Sequence, residues 1–279
     1  MGRKMKIVLL TSGRYPAANT AVRAFLGNTL LQKYGIEIVG IVSTEIWTLD
    51  QRGWRTLRNF VKQSGLPFAL RSIATTVWQN CTIRFAKYCV PDRNRKFFEI
   101  EELAHQYKIP FLCARNINSK TVHQFIKKKE PDCLVSCLLL QIVKKPLLNL
   151  PPQGAINFHP ALLQEHRGTF TSFWALLQNR SYSGATVHYM TERPDDGQVI
   201  LQRRFFIKPS DTIHCVNQKS AQLGGNLLVK ALVKIKKKSF QPRWVEQLGQ
   251  LLTFPNRREA GAFHQQGKGH MRWRDYWRV

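Results

Sequence analysis

The sequence predicts an α/β fold with a doubly wound, mostly parallel sheet, and three observations carry that prediction. Short apolar runs typical of buried strands recur along the chain, at residues 6–10, 36–41, 110–113, 132–137 and 154–158. Segments with helical start signals lie between them, as crossovers between parallel strands require. The 279 residues, with 43% hydrophobic content, are enough to build a large core.

The helices are predicted from their caps and apolar spacing. The first strand is followed by a loop with a single glycine, Gly13, and Asn19 and Thr20 are predicted to cap a helix to about Leu31. Asp211 is predicted to cap a long helix to Lys236. Shorter helices are predicted at residues 99–107, 119–129 and 171–178. The lone glycine excludes a dinucleotide-binding fingerprint, which needs three spaced glycines after the strand.

Residues 50–97 interrupt this alternation with a basic segment. Apolar residues are interleaved there with Arg and Lys, and Asp92 is the single acidic residue between positions 51 and 98. The pattern predicts two or three basic amphipathic helices. They could form a cap whose apolar face packs on the domain, or they could dock on an anionic membrane surface.

Composition limits the compartment and the partners. The formal net charge is +26, which favours anionic partners but says little about fold. The six cysteines form no Cys-x-x-Cys pair, so they predict buried, reduced thiols rather than a zinc site or a disulfide framework. No metal site is predicted. No apolar run reaches 18 residues and no signal peptide is apparent, which predicts a cytoplasmic protein without a spanning helix.

The residues best suited to chemistry lie between positions 154 and 202. Asn157 and His159 alternate at the end of a predicted strand, so both side chains can face one reactant. Asp195 lies in a Pro-Asp-Asp-Gly turn between the strand-like runs 184–190 and 198–206, from which it could return over the imidazole. The alternative is that Asn157 and His159 satisfy backbone groups and Asp195 only forms a turn.

This segment closely resembles the formyltransferases that use 10-formyltetrahydrofolate, which act on glycinamide ribonucleotide, methionyl-tRNA or sugar nucleotides. Their hallmark is matched in order and spacing by four stretches: Asn157-Phe-His159-Pro-Ala-Leu-Leu, Arg167-Gly168, Gly184-Ala-Thr186-Val-His188 and Asp195-Asp-Gly197. The resemblance covers residues 105–207 well and the first 45 residues loosely, and it implies a Rossmann-like formyltransferase architecture.

By resemblance, Asn157, His159 and Asp195 are the catalytic residues, with Asp195 preferred to Asp196 because one residue separates the family's Asp and Gly. Asn157 and a protonated His159 can donate hydrogen bonds to the oxygen that becomes negative as an amine attacks the formyl carbon. Asp195 can orient His159 and raise its pKa. Asp195, or a water that it holds, can also take the proton of the amine. Thr186 and His188 are predicted either to support this group or to pack in the core.

The resemblance also implies the positions of the donor and of the acceptor. The 10-formyltetrahydrofolate site is expected at the loop after the 132–137 strand and at the turn that follows Asp195; these residues are Leu138, Leu139, Leu140, Gln141, Ile142, Asp196 and Gly197. The amine is expected to contact Ser12, Gly13, Arg14, Asn19, Thr20 and Arg167. A plain helix cap is the alternative for Asn19 and Thr20, and a loop anchor is the alternative for Arg167.

The predicted organisation is a catalytic domain at 1–207, including the insert at 50–97, and a basic helical extension at 208–279. The predicted function is N-formyl transfer to a small anionic amine, with an amino-sugar on a nucleotide or lipid phosphate first, methionyl-tRNA next and glycinamide ribonucleotide third. Two other classes stay open: hydrolysis of formyltetrahydrofolate, and a non-catalytic protein that binds RNA or membrane. A peripheral place at the inner face of the membrane would follow from docking through 50–97. The sequence leaves the oligomeric state unknown.

Overall fold

A strongly apolar first strand sets the centre of the sheet. The computed structural model of the protein describes residues 3–13, 15–44, 51–90 and 98–277. Strand β1, Met5–Ser12, is buried over nearly its whole length. It has a parallel neighbour on each side, which explains its continuous apolar sequence because both of its faces are covered.

Seven strands of the described residues form one sheet in the order β3-β2-β1-β4-β5-β7-β8, and β6 pairs separately with β9. The strands are β1 Met5–Ser12, β2 Ile36–Thr44, β3 Phe111–Ala114, β4 Cys133–Cys137, β5 Ala155–His159, β6 His166–Gly168, β7 Tyr182–Tyr189, β8 Val199–Phe206 and β9 Gln250–Leu252. The strands from β3 to β5 are parallel, and β7 and β8 are antiparallel additions beside β5. The order reverses between β1 and β4, which is where doubly wound sheets bind ligands. The predicted fold class is confirmed.

Helices cover both faces of the sheet and join the strands. They are α1 Pro16–Leu26, α2 Leu30–Lys33, α3 Gln51–Ser64, α4 Leu66–Cys89, α5 Ile100–Gln106, α6 Lys120–Lys129, α7 Lys145–Leu148, α8 Thr171–Leu177, α9 Ile213–Lys237 and α10 Arg257–Gln265, followed by a 3-10 helix at Trp273–Trp277. One core lies between the sheet and α1, α5 and α9, and a second lies on the other face under α6 and α7. Among the described residues, no helix combines the length and the apolar character needed to cross a membrane.

Two predicted helix starts are wrong. Helix α1 begins at Pro16 rather than after Asn19 and Thr20, because proline fits the first helical position, where no N–H is needed. It also ends at Leu26, so the predicted run to Leu31 is two helices. Helix α9 is capped by Thr212, whose side chain accepts from Cys215 N. Asp211 instead accepts from Lys208 N at 2.8 Å and forms an ion pair with Lys219.

The prediction of buried cysteines holds for half of them. None of the six, all of which lie in the described part of the chain, forms a disulfide, and those in β4 and α9 are buried. Cys81, Cys89 and Cys113 are exposed, so the prediction is wrong there. Cys81 and Cys89 lie on the solvent side of α4 and not on the side that packs against the domain.

The 50–97 insert contributes α3 and α4, which meet at Gly65. Phe60 of α3 and Phe68 of α4 are buried in a third core with α8, α10 and the start of α9. Two hydrogen bonds from the end of α3 attach it to the chain before α10: Gln63 Nε2 to Phe254 O and Ser64 Oγ to Pro255 O, each at 2.6 Å. One face of the insert therefore forms a cap on the domain.

Candidate active site

Strand β5 presents Asn157 and His159 at the carboxyl end of the sheet. The two residues alternate along the strand, so their side chains share a face. Beside them, antiparallel β7 places His188 opposite Asn157 and Thr186 opposite His159. Pro160 follows at once and ends the strand. The carboxyl end of β5 thus brings an amide and an imidazole to the edge where α/β sheets carry their sites.

Asp195 reaches the same place from the turn between β7 and β8. Its Oδ1 lies 3.3 Å from His159 Nδ1 and 3.6 Å from His188 Nε2. Its Oδ2 accepts a hydrogen bond from Gly168 N at 2.9 Å. Asp195 adopts a left-handed backbone conformation, with φ of 51°, which an Asp tolerates better than most residues. The turn therefore directs the carboxylate inward onto the imidazole.

The His159 ring is held between two acceptors. Its Nδ1 faces Asp195, and its Nε2 lies 3.0 Å from the carbonyl oxygen of His166. Only the doubly protonated ring donates to both, so the geometry favours the imidazolium. Because both N–H groups are engaged, the predicted hydrogen bond from His159 to a formyl oxygen is not available in this conformation. The positive charge of the ring remains available.

The electrostatics of the pair agree with this protonation state. Burial alone would lower the pKa of His159, but the Asp195 carboxylate and the His166 carbonyl outweigh it and raise the pKa above its ordinary value. Burial alone would raise the pKa of Asp195, but the positive charge of His159 and its hydrogen bond hold that pKa well below its usual range. Asp195 therefore stays ionised, and a carboxylate with so low a pKa is a weak base.

These shifts predict how stability depends on pH. The raised pKa of His159 stabilises the fold fully below about pH 6.5, and this stabilisation is lost as pH rises through the folded-state pKa. The lowered pKa of Asp195 stabilises the fold fully above about pH 3.8, and this stabilisation is lost as pH falls through the folded-state pKa. The loss in unfolding free energy caused by Asp195→Asn should therefore be largest between those two values. Urea melts of both proteins across pH measure that difference. Buried His214 and His270, whose pKa values are lowered to about 4, destabilise both proteins equally in acid. A difference that is constant from pH 5 to 9 would contradict the ion pair.

Asn157 is oriented by His188. The His188 Nδ1–H donates to Tyr189 O at 2.8 Å, which leaves Nε2 as the acceptor for Asn157 Nδ2–H at 3.2 Å. An amide nitrogen carries two hydrogens, so Asn157 keeps a second one for a formyl oxygen. Thr186 donates to Ala161 O at 2.6 Å and so secures the chain that leaves β5. His188 and Thr186 thus both support the site.

The loop opposite Asp195 depends on a strand far along the chain. Strand β9 pairs in parallel with β6, and Thr169 N donates to Leu252 O at 2.9 Å. The close pairing leaves no room for a side chain at Gly168, where a Cβ would lie 2.1 Å from Leu252 O. Arg167 Nε donates to Gly249 O at 2.9 Å, which favours the loop-anchor alternative for this side chain. Its charge is also close enough to lower the pKa of His159 slightly against the larger effects.

The loops expected to hold donor and acceptor meet at the point where the strand order reverses. Ser12 Oγ, at the end of β1, accepts from Leu140 N at 3.0 Å and lies 3.1 Å from Thr44 Oγ1. The Gln141 side chain is engaged with the backbone of Arg115 and Ile117, at 2.8 and 2.9 Å, so it shapes the loop. Leu138 is buried with a φ of 54°, Leu139 is partly buried, and Leu140 and Ile142 are exposed. Exposed apolar side chains on a loop beside the end of β1 suit a flat aromatic ligand such as a pterin.

The remaining predicted residues fall in different places. Asn19 and Thr20 are buried inside α1, where Thr20 Oγ1 donates to Gln218 of α9 at 2.5 Å, so the contact of Thr20 is structural. Arg14 lies outside the described residues, directly after Gly13, whose N donates to Thr44 O at 3.0 Å. Asp196 is three-quarters buried beside Arg193, at 3.9 Å, and Gly197 packs on the backbone of Tyr189.

Sequence reasoning missed one part of the site. The Gly168 N–H is the donor that fixes the second oxygen of Asp195, and β9 fixes Gly168. The Arg-Gly element of the family pattern marks that glycine. No periodicity marks β9, because a strand of three residues is too short to show alternation.

At the carboxyl end of one strand of a doubly wound sheet, the site combines an amide, an imidazole and a carboxylate, which are groups that can serve acyl transfer. The family model described as formyl transferase matches residues 85–232, more than half of the chain. This protein belongs to the formyl transferase family.

Its relatives differ in the acceptors for which they are named. The chain is 34% identical over 133 residues to the methionyl-tRNA formyltransferase of Desulforamulus reducens, across 48% of this chain and 42% of that protein. It spans less than half the length of the curated relatives it matches.

Solved structures share the fold at low identity. Glycinamide ribonucleotide transformylase 1 from Symbiobacterium toebii superposes with a TM-score of 0.60 at 16% identity, across 88% of this chain and 96% of that one. The N-formyltransferase from Helicobacter canadensis, in complex with folinic acid and dTDP-3-aminofucose, gives 0.54 at 15% identity, across 87% and 67%.

Proposed function

We propose that this protein transfers a formyl group from 10-formyltetrahydrofolate to a primary amine. The observation that carries the proposal is the buried His159–Asp195 pair, with Asn157 on the same face of β5. Family membership supports the reaction type, and the solved relative with bound folinic acid supports a folate donor. A protein that only binds RNA or membrane would need no buried imidazolium–carboxylate pair, so catalysis is favoured over that alternative.

The residues divide the chemistry between them. The amine nitrogen attacks the formyl carbon, and negative charge grows on the formyl oxygen. The second amide hydrogen of Asn157 donates to that oxygen, while the imidazolium of His159 stabilises it through its charge. A water held by Asp195 relays the proton: it accepts the amine proton while it passes one of its own protons to N10 of the folate, so Asp195 orients this water and need not act as a strong base. The bond from carbon to N10 of the folate then breaks as N10 receives a proton, which leaves the formamide and tetrahydrofolate.

The two ligands are assigned to opposite sides of the reacting carbon. The loop 138–142, with Asp196 and Gly197, is proposed to hold the pterin, since it combines apolar side chains with backbone groups beside the catalytic edge. The end of β1, with Ser12, Gly13 and Arg14, is proposed to hold the amine. Asn19, Thr20 and Arg167 are proposed to hold the surrounding backbone in place and not to contact the amine directly, because Thr20 bonds to Gln218 and Arg167 bonds to Gly249.

The acceptor we favour is an amino-sugar attached to a nucleotide or lipid phosphate. The net charge of +26 favours an anionic acceptor, and a solved relative was crystallised with dTDP-3-aminofucose. Methionyl-tRNA is the second candidate. It is favoured by the 34% identity to a methionyl-tRNA formyltransferase, and tRNA is also a polyanion. Both candidate acceptors and the folate donor support the proposal of a cytoplasmic protein.

A single assay distinguishes the candidates. The protein is mixed with 10-formyltetrahydrofolate and, separately, with nucleotide amino-sugars, methionyl-tRNA or glycinamide ribonucleotide, and the absorbance change on tetrahydrofolate formation is followed. Turnover with one acceptor identifies the substrate class. Tetrahydrofolate release without an acceptor would show that the protein hydrolyses 10-formyltetrahydrofolate and does not transfer the formyl group. Folate binding without turnover of any acceptor would overturn the proposal in favour of a binding protein.

Arg14→Ala should raise the KM for the acceptor more than it lowers kcat. The residue follows Ser12 and Gly13 at the edge where the acceptor is assigned, and its guanidinium suits a phosphate or carboxylate. Steady-state kinetics with the acceptor found above measure both constants. The matched control is Lys128→Ala, which removes a positive charge from an exposed position on α6. An unchanged KM would remove this loop from the acceptor site.

A further inference from the structure

Helix α4 is apolar on two opposite faces. One face is buried against the domain and includes Phe68, Ala69 and Ile83. The other face is exposed to solvent, and its apolar residues recur at helical spacing: Leu66, Leu70, Val77, Phe85 and Tyr88 are between 54% and 82% exposed. Packing of the domain accounts for the first face and not for the second. Contiguous exposed apolar surface of this kind marks an interaction site.

The neighbouring helix α3 adds positive charge beside this face. Arg55, Arg58 and Lys62 are exposed at positions i, i+3 and i+7, which places them on one side of the helix. Residues 51–90 contain no Asp or Glu at all. Arg84, at the far end of α4, pairs with Glu99 at 3.2 Å, and the surface of the insert is cationic overall.

A cleft joins the two features. It has a volume of about 480 Å³, an apolar floor and a cationic rim; its lining is Trp54, Leu57, Val61, Leu66, Arg58, Lys62 and Arg257. Leu66 belongs both to this cleft and to the exposed face of α4. The cleft and that face together form a continuous amphipathic surface, named here the insert surface. Such a surface suits a ligand that is apolar at one end and anionic at the other.

We propose that the insert surface docks on an anionic lipid bilayer, with acyl chains against the exposed face of α4 and acidic headgroups at Arg55, Arg58 and Lys62. A second copy of this chain is disfavoured because it would bring two surfaces of the same positive sign together. Nucleic acid is disfavoured because three of the five exposed apolar residues of α4, Leu66, Leu70 and Val77, cannot stack on bases, although Phe85 and Tyr88 can. An anionic bilayer satisfies both the apolar and the cationic parts.

Sedimentation of the full chain with vesicles tests the proposal. The protein should bind phosphatidylglycerol–phosphatidylcholine vesicles, bind phosphatidylcholine vesicles far more weakly, and be released by salt. The triple variant R55Q/R58Q/K62Q should lose on the order of 100-fold in affinity for the anionic vesicles. The control K120Q/K127Q/K128Q removes the same charge from α6 and should bind as the unaltered protein does.

The apolar part has its own variant. L70S/V77S/F85S keeps every charge and should lose roughly tenfold or more in affinity, while its circular dichroism and melting temperature stay unchanged because the replaced side chains are exposed. A polarity-sensitive dye on Cys81, with Cys89 and Cys113 replaced by Ser, should shift to the blue with anionic vesicles only. The proposal would be overturned if the protein did not bind vesicles. It would also be overturned if R55Q/R58Q/K62Q and L70S/V77S/F85S both bound anionic vesicles as the unaltered protein does. A dimer in solution that L70S/V77S/F85S abolishes, or tRNA binding through α3 without vesicle binding, would overturn it as well.

Discussion

Asp195→Asn should lower the rate of formyl transfer by a factor on the order of 10²–10⁴. Asparagine cannot balance the charge of the imidazolium, so the pKa of His159 falls and the ring loses the protonation state that its two acceptors favour. Folate binding should stay within a few-fold, because the proposed pterin loop does not use this carboxylate. Tetrahydrofolate formation and folate titration measure the two quantities.

His159→Ala should behave in the same way, since the two side chains act as a pair. The matched control is Glu192→Gln, which removes an exposed carboxylate from the same turn and should leave the rate within a few-fold. Full activity in either Asp195→Asn or His159→Ala would contradict the proposed mechanism. A loss equal to theirs in Glu192→Gln would show that the net charge of the turn matters more than the ion pair.

Gly197→Ala should lower kcat about 10²-fold and destabilise the fold by about 1–3 kcal/mol. A Cβ at this position would lie 1.7 Å from the carbonyl oxygen of Tyr189, which belongs to β7 and cannot move freely. The turn must therefore shift, and Asp195, two residues earlier, shifts with it away from His159.

Thermal melting and steady-state kinetics test this prediction together. Gly261→Ala is the matched control, because no atom lies within 4 Å of a Cβ built there and alanine favours helix α10. It should keep full activity and equal or higher stability. If Gly197→Ala melted and turned over like the unaltered protein, the turn would tolerate a side chain and would not fix the position of Asp195.

Local sequence patterns predicted the sheet and the shared face of the two proposed catalytic residues of β5. Continuous apolar runs predicted β1, β4 and β5 because these strands are covered on both faces. Strand alternation then predicted that Asn157 and His159 share a face. The position of Asp195 came from the spacing of the family motif, because the register of a long turn cannot be calculated from its composition.

The features that sequence could not predict depend on contacts between distant segments. The insert was predicted as amphipathic, yet α4 is apolar on opposite faces, and this removes the one-sided periodicity on which the prediction relied. The contact of His159 Nε2 with His166 O also required the folded loop. It changes the expected role of His159 from a hydrogen-bond donor to a source of charge.

The pairing of β6 with β9 has a consequence for how the protein is made. Arg167 and its partner Gly249 are 82 positions apart, so the ribosome completes the central sheet well before it synthesises the strand that fixes the catalytic loop. Until β9 emerges, the strand pairing that holds Gly168 beside Asp195 is missing. A nascent chain halted before residue 249 should therefore fold its sheet and yet lack a formed site, which delays catalytic competence until β9 has been synthesised.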